Sequence, residues 1–295
     1  MRFLLALAAL ILLAPAAQAQ DCLFRTPGAT QRIEIGTTGR AMLVHFPKGR
    51  YGPAPLVWLF HGSGGSGEQV LKGSKLAETA DKYGFVVAAP DGGIPVDKGF
   101  VWNIPGVPTI TGKVPGPDDA NDVAFVAAAS DWLKAQHCVD PARVYATGIS
   151  GGGRMTSWLG CVAARRFAAI APVVGLRAGN PLAGNPRVPD PTTCEPAAPM
   201  PILAFAGDTD TTNPIQGGGT GYWQYTMHMA QARWADLNGC RSGPATRDLS
   251  GTLYEVRYSD CRGGAEVIGR IERGGKHVWL ADNDAMWAFF ARHRR

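Results

Sequence analysis

Beyond its first residues the chain has no apolar run approaching the ~20 residues that a membrane-crossing helix needs, so a membrane partner is not expected. It also lacks a basic block. Lys and Arg are scattered under a net charge of +5, the one cluster being Arg292-His293-Arg294-Arg295, and nothing points to nucleic acid. There is no CxxC pair and no Cys/His cluster at zinc-ligand spacing, so no metal is expected. Neither an internal repeat nor a Ser/Thr-rich linker leading to a second module is present. These absences leave one globular domain, expected to be monomeric, acting on a small or oligomeric molecule.

What is present begins with a leader. Arg2, the apolar stretch Phe3–Ala14 and Ala17-Gln18-Ala19 have the charged, apolar and small-x-small order of a secretory signal peptide. Cleavage after Ala19 leaves residues 20–295 as a single domain, secreted or periplasmic. Gln20-Asp21 is not the small-residue pair that precedes a lipidated cysteine, so Cys22 does not mark a lipoprotein. All six cysteines, Cys22, Cys138, Cys161, Cys194, Cys240 and Cys261, fall after the leader. An even number in an exported chain reads as three disulfides, with about 15 connectivities open.

Residues 32–46 alternate apolar and polar positions around Gly36-Thr37-Thr38-Gly39, the pattern of an antiparallel hairpin at a sheet edge. The rhythm then changes to short apolar runs suited to strands buried on both faces: Leu56–Phe60, Phe85–Ala89, Val144–Thr147, Ala169–Val174 and Ile202–Ala206. Helical spacing lies at Val70–Lys82, Asp122–Gln136, Arg154–Ala164, Tyr222–Leu237 and Asn283–His293. Strands alternating with helices predict an α/β protein with a mostly parallel central sheet, the N-terminal hairpin at its edge and helices on both faces.

Val144–Thr147 runs into Gly148-Ile149-Ser150-Gly151-Gly152, and a helical pattern follows. This is G-x-S-x-G between strand and helix, the setting in which a strained turn presents a nucleophilic serine. In the α/β-hydrolase fold the triad runs Ser, acid, His, which removes His45, His61 and His137 as the base. His228 and His293 lie in helical patterns. His277 follows a strand-like stretch (Ala265–Ile271) in a glycine-marked loop and is the expected base. The acid comes from Gly207-Asp208-Thr209-Asp210-Thr211, with Asp210 preferred and Asp208 the turn residue. Gly151 supplies one oxyanion donor, and Ser63, in His61-Gly62-Ser63-Gly64-Gly65-Ser66, the second. Trp102 and Trp279 are candidates to grip an apolar or aromatic acyl group.

The same glycine loop supports a rival. Gly62, Gly64 and Gly67 spell G-x-G-x-x-G between a strand and a helix, and Asp91 ends the next strand, as in a dinucleotide-dependent oxidoreductase. Against it stand the hairpin ahead of the strand, the expected export, and the idle Ser150, Asp210 and His277.

The order of motifs resembles the secreted polyhydroxybutyrate depolymerase and feruloyl esterase family of α/β-hydrolases. The likeness rests on Pro55-Leu-Val-Trp-Leu-Phe-His61-Gly62, Asn121-Asp-Val-Ala-Phe125, the stretch Val139 to Met155 around Ser150, Gly207-Asp-Thr-Asp210, Trp234-Ala-Asp-Leu-Asn-Gly-Cys240 and His277-Val-Trp279. It implies a serine carboxylic ester hydrolase without cofactor, with Ser150, Asp210 and His277 at the triad positions. Hydroxyalkanoate, feruloyl or aryl, and short-chain acyl esters are the implied substrates, and acyl transfer on the same fold is the alternative. Together with the local spacings it favours Cys161–Cys194 and Cys240–Cys261, leaving Cys22 for Cys138. Leu280 stands where the family commonly has Pro, and Asp208 and Asn213-Pro214-Ile215 depart from the usual acid-loop wording. Those departures bear on the substrate rather than the chemistry.

Overall fold

A computed structural model describes residues 22–23, 26–49, 52–219 and 223–295; the expected leader, 1–19, lies outside them. The strands are β1 Thr30–Glu34, β2 Ala41–His45, β3 Ala54–Phe60, β4 Val86–Pro90, β5 Ile94–Val96, β6 Gly99–Val101, β7 Val139–Ile149, β8 Ala169–Val173, β9 Pro181–Leu182, β10 Asn185–Pro189, β11 Ile202–Gly207, β12 Ser242–Asp248, β13 Leu253–Ser259 and β14 Val267–Glu272. The α-helices are α1 Gly67–Ser74, α2 Leu76–Tyr83, α3 Asp122–Ala135, α4 Gly151–Val162, α5 Met227–Asn238 and α6 Asn283–Phe290. Ten strands form one sheet in the order β1-β2-β4-β3-β7-β8-β11-β14-β13-β12. The six from β4 to β14 in that order pair in parallel, and both edges are antiparallel.

Burial explains the arrangement. Every residue of β3 is buried, as a central strand covered on both faces requires. Trp58 and Phe60 point into one core with Phe125 and Leu133 of α3, Leu159 of α4 and Trp234 of α5. Val57 and Leu59 point into the other, with Leu76 and Ala80 of α2 and Phe289 and Phe290 of α6. The expected helix over 70–82 is two helices, because Lys75 takes a left-handed backbone (φ 56°) between them. The β12–β13 hairpin has no counterpart among the expected strands. β12 (Ser-Gly-Pro-Ala-Thr-Arg-Asp) is exposed at every residue, so an edge strand of this kind carries no apolar alternation to read.

The disulfides are Cys22–Cys138, Cys161–Cys194 and Cys240–Cys261. The first ties Cys22, ahead of β1, to the residue before β7, and the second ties α4 to the segment before β11. The third closes the base of the β12–β13 hairpin; closing a loop of 21 residues is worth on the order of 3 kcal/mol through unfolded-chain entropy.

Glu266, just before β14, gathers Arg257 of β13 with Arg292 and His293 after α6. Burial alone would raise its pKa, but hydrogen bonds from His293 and Arg292 and the charges of Arg257 and Arg292 bring it from 4.5 to about 2. A pKa depressed on folding adds stability that is complete above 4.5 and fades as pH falls toward 2. The contribution is at most about 3 kcal/mol, less because both arginines are half-exposed. Glu266→Gln is therefore expected to melt several degrees below wild type at pH 6, and the gap should shrink to about a quarter by pH 2.5. A gap of the same size at both pH values would contradict the linkage.

Candidate active site

The expected site residues converge at one end of the sheet, because each follows the carboxyl end of a parallel strand. Ser150 follows β7, the glycine loop follows β3, Asp210 follows β11 and His277 follows β14. Open parallel sheets bind ligands at such an edge.

Ser150 sits between β7 and α4 at φ 55°, ψ −113°, a backbone that an L-residue holds only under constraint. Its N–H donates to the Val173 carbonyl at 2.9 Å. The flanking glycines are imposed by close approach. A Cβ at Gly152 would lie 2.0 Å from the Phe60 carbonyl oxygen, and one at Gly148 would lie 2.6 Å from the same atom. Only side-chain-free residues let the turn pack on β3 and still lift Ser150 clear of it. The N-terminus of α4 adds a positive dipole end beside the serine.

Asp210 and His277 meet across their loops. His277 Nδ1 donates to Asp210 Oδ2 at 2.8 Å, and the carboxylate side chain is 1% exposed. Asp210 Oδ1 accepts the backbone N–H groups of Thr212 at 2.8 Å and Asn213 at 2.9 Å. Burial works to raise the Asp210 pKa, but the hydrogen bonds from His277, Asn213 and Thr212 outweigh it and hold the carboxyl below its ordinary range. Asp208 is elsewhere: it is exposed and accepts the Gly274 N–H at 2.7 Å, which fixes the loop leading to His277. Thr209 joins the same two loops, both its N–H (3.1 Å) and its hydroxyl (2.8 Å) donating to the Gly275 carbonyl. His228 lies in α5 against Gln231, and His293 lies against Glu266.

The glycine loop closes the other side. Ser63 lies against Gly151 so closely that a Cβ there would be 2.8 Å from Ser63 N and 2.4 Å from its Oγ. The two expected oxyanion donors are thus neighbours in space. His61 shapes this loop. Its Nδ1 donates to the Gly62 carbonyl at 2.7 Å, and its Nε2 accepts the Gly92 N–H at 2.9 Å. Burial lowers the His61 pKa more than the Gly62 carbonyl and the Asp91 charge raise it, so the ring stays neutral in this role.

Beside these groups runs a cleft lined by Ser63, Gly64, Val70, Ile149, Val278 and Trp279 among others, with no charged side chain in its wall. Trp279 lines it, its indole N–H held by Asn283 at 3.1 Å. Trp102 does not. It is 5% exposed, donates its indole N–H to the His61 carbonyl at 2.8 Å and packs edge-on to Phe60, so it supports the loop from behind. Val278, 52% exposed beside His277, is an apolar rim residue that sequence reading passed over. Among the described residues no group of three or more His, Cys, Asp or Glu could hold a metal ion.

The dinucleotide reading is overturned by the same loop. Ser66 caps α1, and Asp91 Oδ1 accepts the Gly67 N–H at 2.8 Å, so a protein carboxylate occupies the helix end that would receive a pyrophosphate. The Gly64 N–H and the Gly65 carbonyl are both engaged by the backbone of Phe100 in β6 at 2.9 Å.

Sheet order, strained serine turn and loop placement define an α/β-hydrolase. The solved acetyl xylan esterase from Aspergillus awamori shares the fold, with a TM-score of 0.63 over 89% of this chain and 99% of that one at 17% identity. Residues 42–185 match the family described as Esterase PHB depolymerase. Feruloyl esterase B of Piromyces equi is 34% identical over 260 residues, 85% of this chain and 44% of that protein. The esterase-like NocK of Nocardia uniformis subsp. tsuyamanensis is 34% identical over 200 residues, 65% of this chain and 51% of that protein. The chain thus spans about half the length of these curated relatives. The match to the Esterase PHB depolymerase family covers residues 42–185, and the fold shared with the solved esterase is that of the α/β-hydrolases.

Proposed function

We propose that the chain is a serine carboxylic ester hydrolase acting on feruloyl or other aryl esters, hydroxyalkanoate esters or short-chain acyl esters. The observation that carries the reading is the His277–Asp210 pair, formed between loops at the same sheet edge as the strained Ser150. Asp210 fixes the imidazole with its proton on Nδ1, which leaves Nε2 as the base. Ser150 Oγ attacks the ester carbonyl carbon as Nε2 takes its proton. The N–H groups of Gly151 and Ser63 hold the tetrahedral oxyanion. Collapse releases the alcohol, protonated by His277, and leaves an acyl-Ser150 ester. Water, deprotonated by the same imidazole, then frees the acid and restores the hydroxyl.

The uncharged cleft wall with Val70, Val278 and Trp279 supports an apolar or aromatic acyl group. Three disulfides support an oxidising, extracytoplasmic setting, and among the described residues no helix is long and apolar enough to cross a membrane. The test pairs a fluorophosphonate label with a panel of feruloyl, nitrophenyl and hydroxybutyrate esters. The label is expected on Ser150, with free acid as the product of at least one ester. Labelling of another residue, or ester exchange without acid release, would overturn the proposal.

A further inference from the structure

Arg154 stands one helical turn after Ser150 on α4, and its N–H closes the first turn on the Ser150 carbonyl at 3.0 Å. The residue is buried. Its Nη2 reaches across to the glycine loop and donates to Ser63 Oγ at 3.2 Å. Nothing in the reaction described above uses this contact, since Ser63 enters it through its backbone alone.

The geometry points to a second role for Ser63: its hydroxyl is a third oxyanion donor, oriented by Arg154. This rests on the esterase reading and adds a catalytic group and a positioning residue to it. A guanidinium can only donate, so the Ser63 hydroxyl oxygen must accept from Arg154, and its own proton turns away from the arginine. Ser63 Oγ lies on the side of the loop that faces Gly151, within 2.4 Å of where a Cβ of that residue would stand. Ser63 N–H, Gly151 N–H and Ser63 O–H therefore border one small space beside the nucleophile. An oxygen that accepts from a cation is also a stronger donor, because the positive charge polarises the O–H bond. Donors fixed in advance at the developing charge lower the barrier without raising substrate affinity. In this role Arg154 works through Ser63 and is a positioning residue.

The test is a cycle of Ser63→Ala, Arg154→Met and the double variant on a nitrophenyl ester, with Arg154→Lys and Ser63→Thr as conservative controls. Ser63→Ala keeps the backbone N–H and removes only the hydroxyl. Its kcat is expected to fall about 10²-fold with KM changed less than threefold, the loss typical of one oxyanion donor. Arg154→Met should cost about tenfold in kcat alone and nothing further once Ser63 is Ala, the signature of an effect carried by that hydroxyl. Ser63→Thr and Arg154→Lys should each recover part of the rate.

Wild-type turnover with Ser63→Ala within twofold of it would overturn the third donor while leaving the esterase reading intact. Equal proportional losses from Arg154→Met in both backgrounds would overturn the positioning role, whatever the melting temperatures. A wild type inert to every ester and to fluorophosphonate would overturn the esterase reading itself, and this inference with it.

Discussion

Ser150→Ala is expected to lower kcat for ester hydrolysis by about 10⁵- to 10⁶-fold, as removal of the nucleophile does in Ser-His-Asp enzymes. The residue occupies a turn whose backbone is over-determined by its surroundings: the Val173 carbonyl holds its N–H, and main-chain atoms of β3 back the glycines on both sides. Alanine can be held at the same φ of 55° at little further cost, since serine already bears that strain. The variant should therefore fold, keep its melting temperature within a few degrees and lose fluorophosphonate labelling entirely. Retention of a tenth of wild-type kcat in folded Ser150→Ala would remove it as the nucleophile.

Asp210→Asn carries the second largest expected effect, a loss of about 10⁴ in kcat. The carboxylate accepts three hydrogen bonds, from His277 and from the amides of Thr212 and Asn213. An amide in its place can present an N–H to Nδ1, and the imidazole then turns to the tautomer whose Nε2 carries the proton and cannot act as base. Asp208→Asn should cost less than tenfold. The replacement amide still offers an oxygen to the Gly274 N–H, so the loop before His277 keeps its tie. If the Asp208 variant proved the more damaged of the two in folded protein, the acid would have to be reassigned. Steady-state kinetics on one ester, with circular dichroism as the folding control, decides the matter.

The parallel half of the sheet was readable because its strands are buried on both faces and appear as continuous apolar runs. The serine turn was readable because its glycines are compulsory. Other features depend on partners far away in the chain. Nothing local says that Trp102 backs His61 while Trp279 lines the cleft; both are tryptophans near loops, and only the packing of Phe60 and the Asn283 contact separate them. Asp91 stands at fingerprint spacing, yet it caps α1 through the Gly67 N–H, a contact made when β4 lies beside β3. The choice between Asp208 and Asp210 turned on which side of a two-residue step faces His277, and that depends on how the Gly275 carbonyl receives Thr209. Arg154 left one signal, its place four residues after Ser150 on the same helix, where a side chain leans back toward the nucleophile.

The backbone-backed glycines have a consequence for how such a protein can change over generations. A flexible neighbour can yield to a new methyl group, but a strand carbonyl at 2.0 Å from the would-be Cβ of Gly152 cannot, so that codon tolerates almost no drift. The rim is different. Ile110, 61% exposed, reaches back to within 3.4 Å of a would-be Cβ on Gly64, and Val278 stands open on the opposite loop. Neither holds up the sheet; Val278 lines the cleft and Ile110 stands against Gly64, which lines it. New ester preferences in this lineage, or in a mutant library built from it, should therefore arise at those two loops while the serine turn is inherited unchanged.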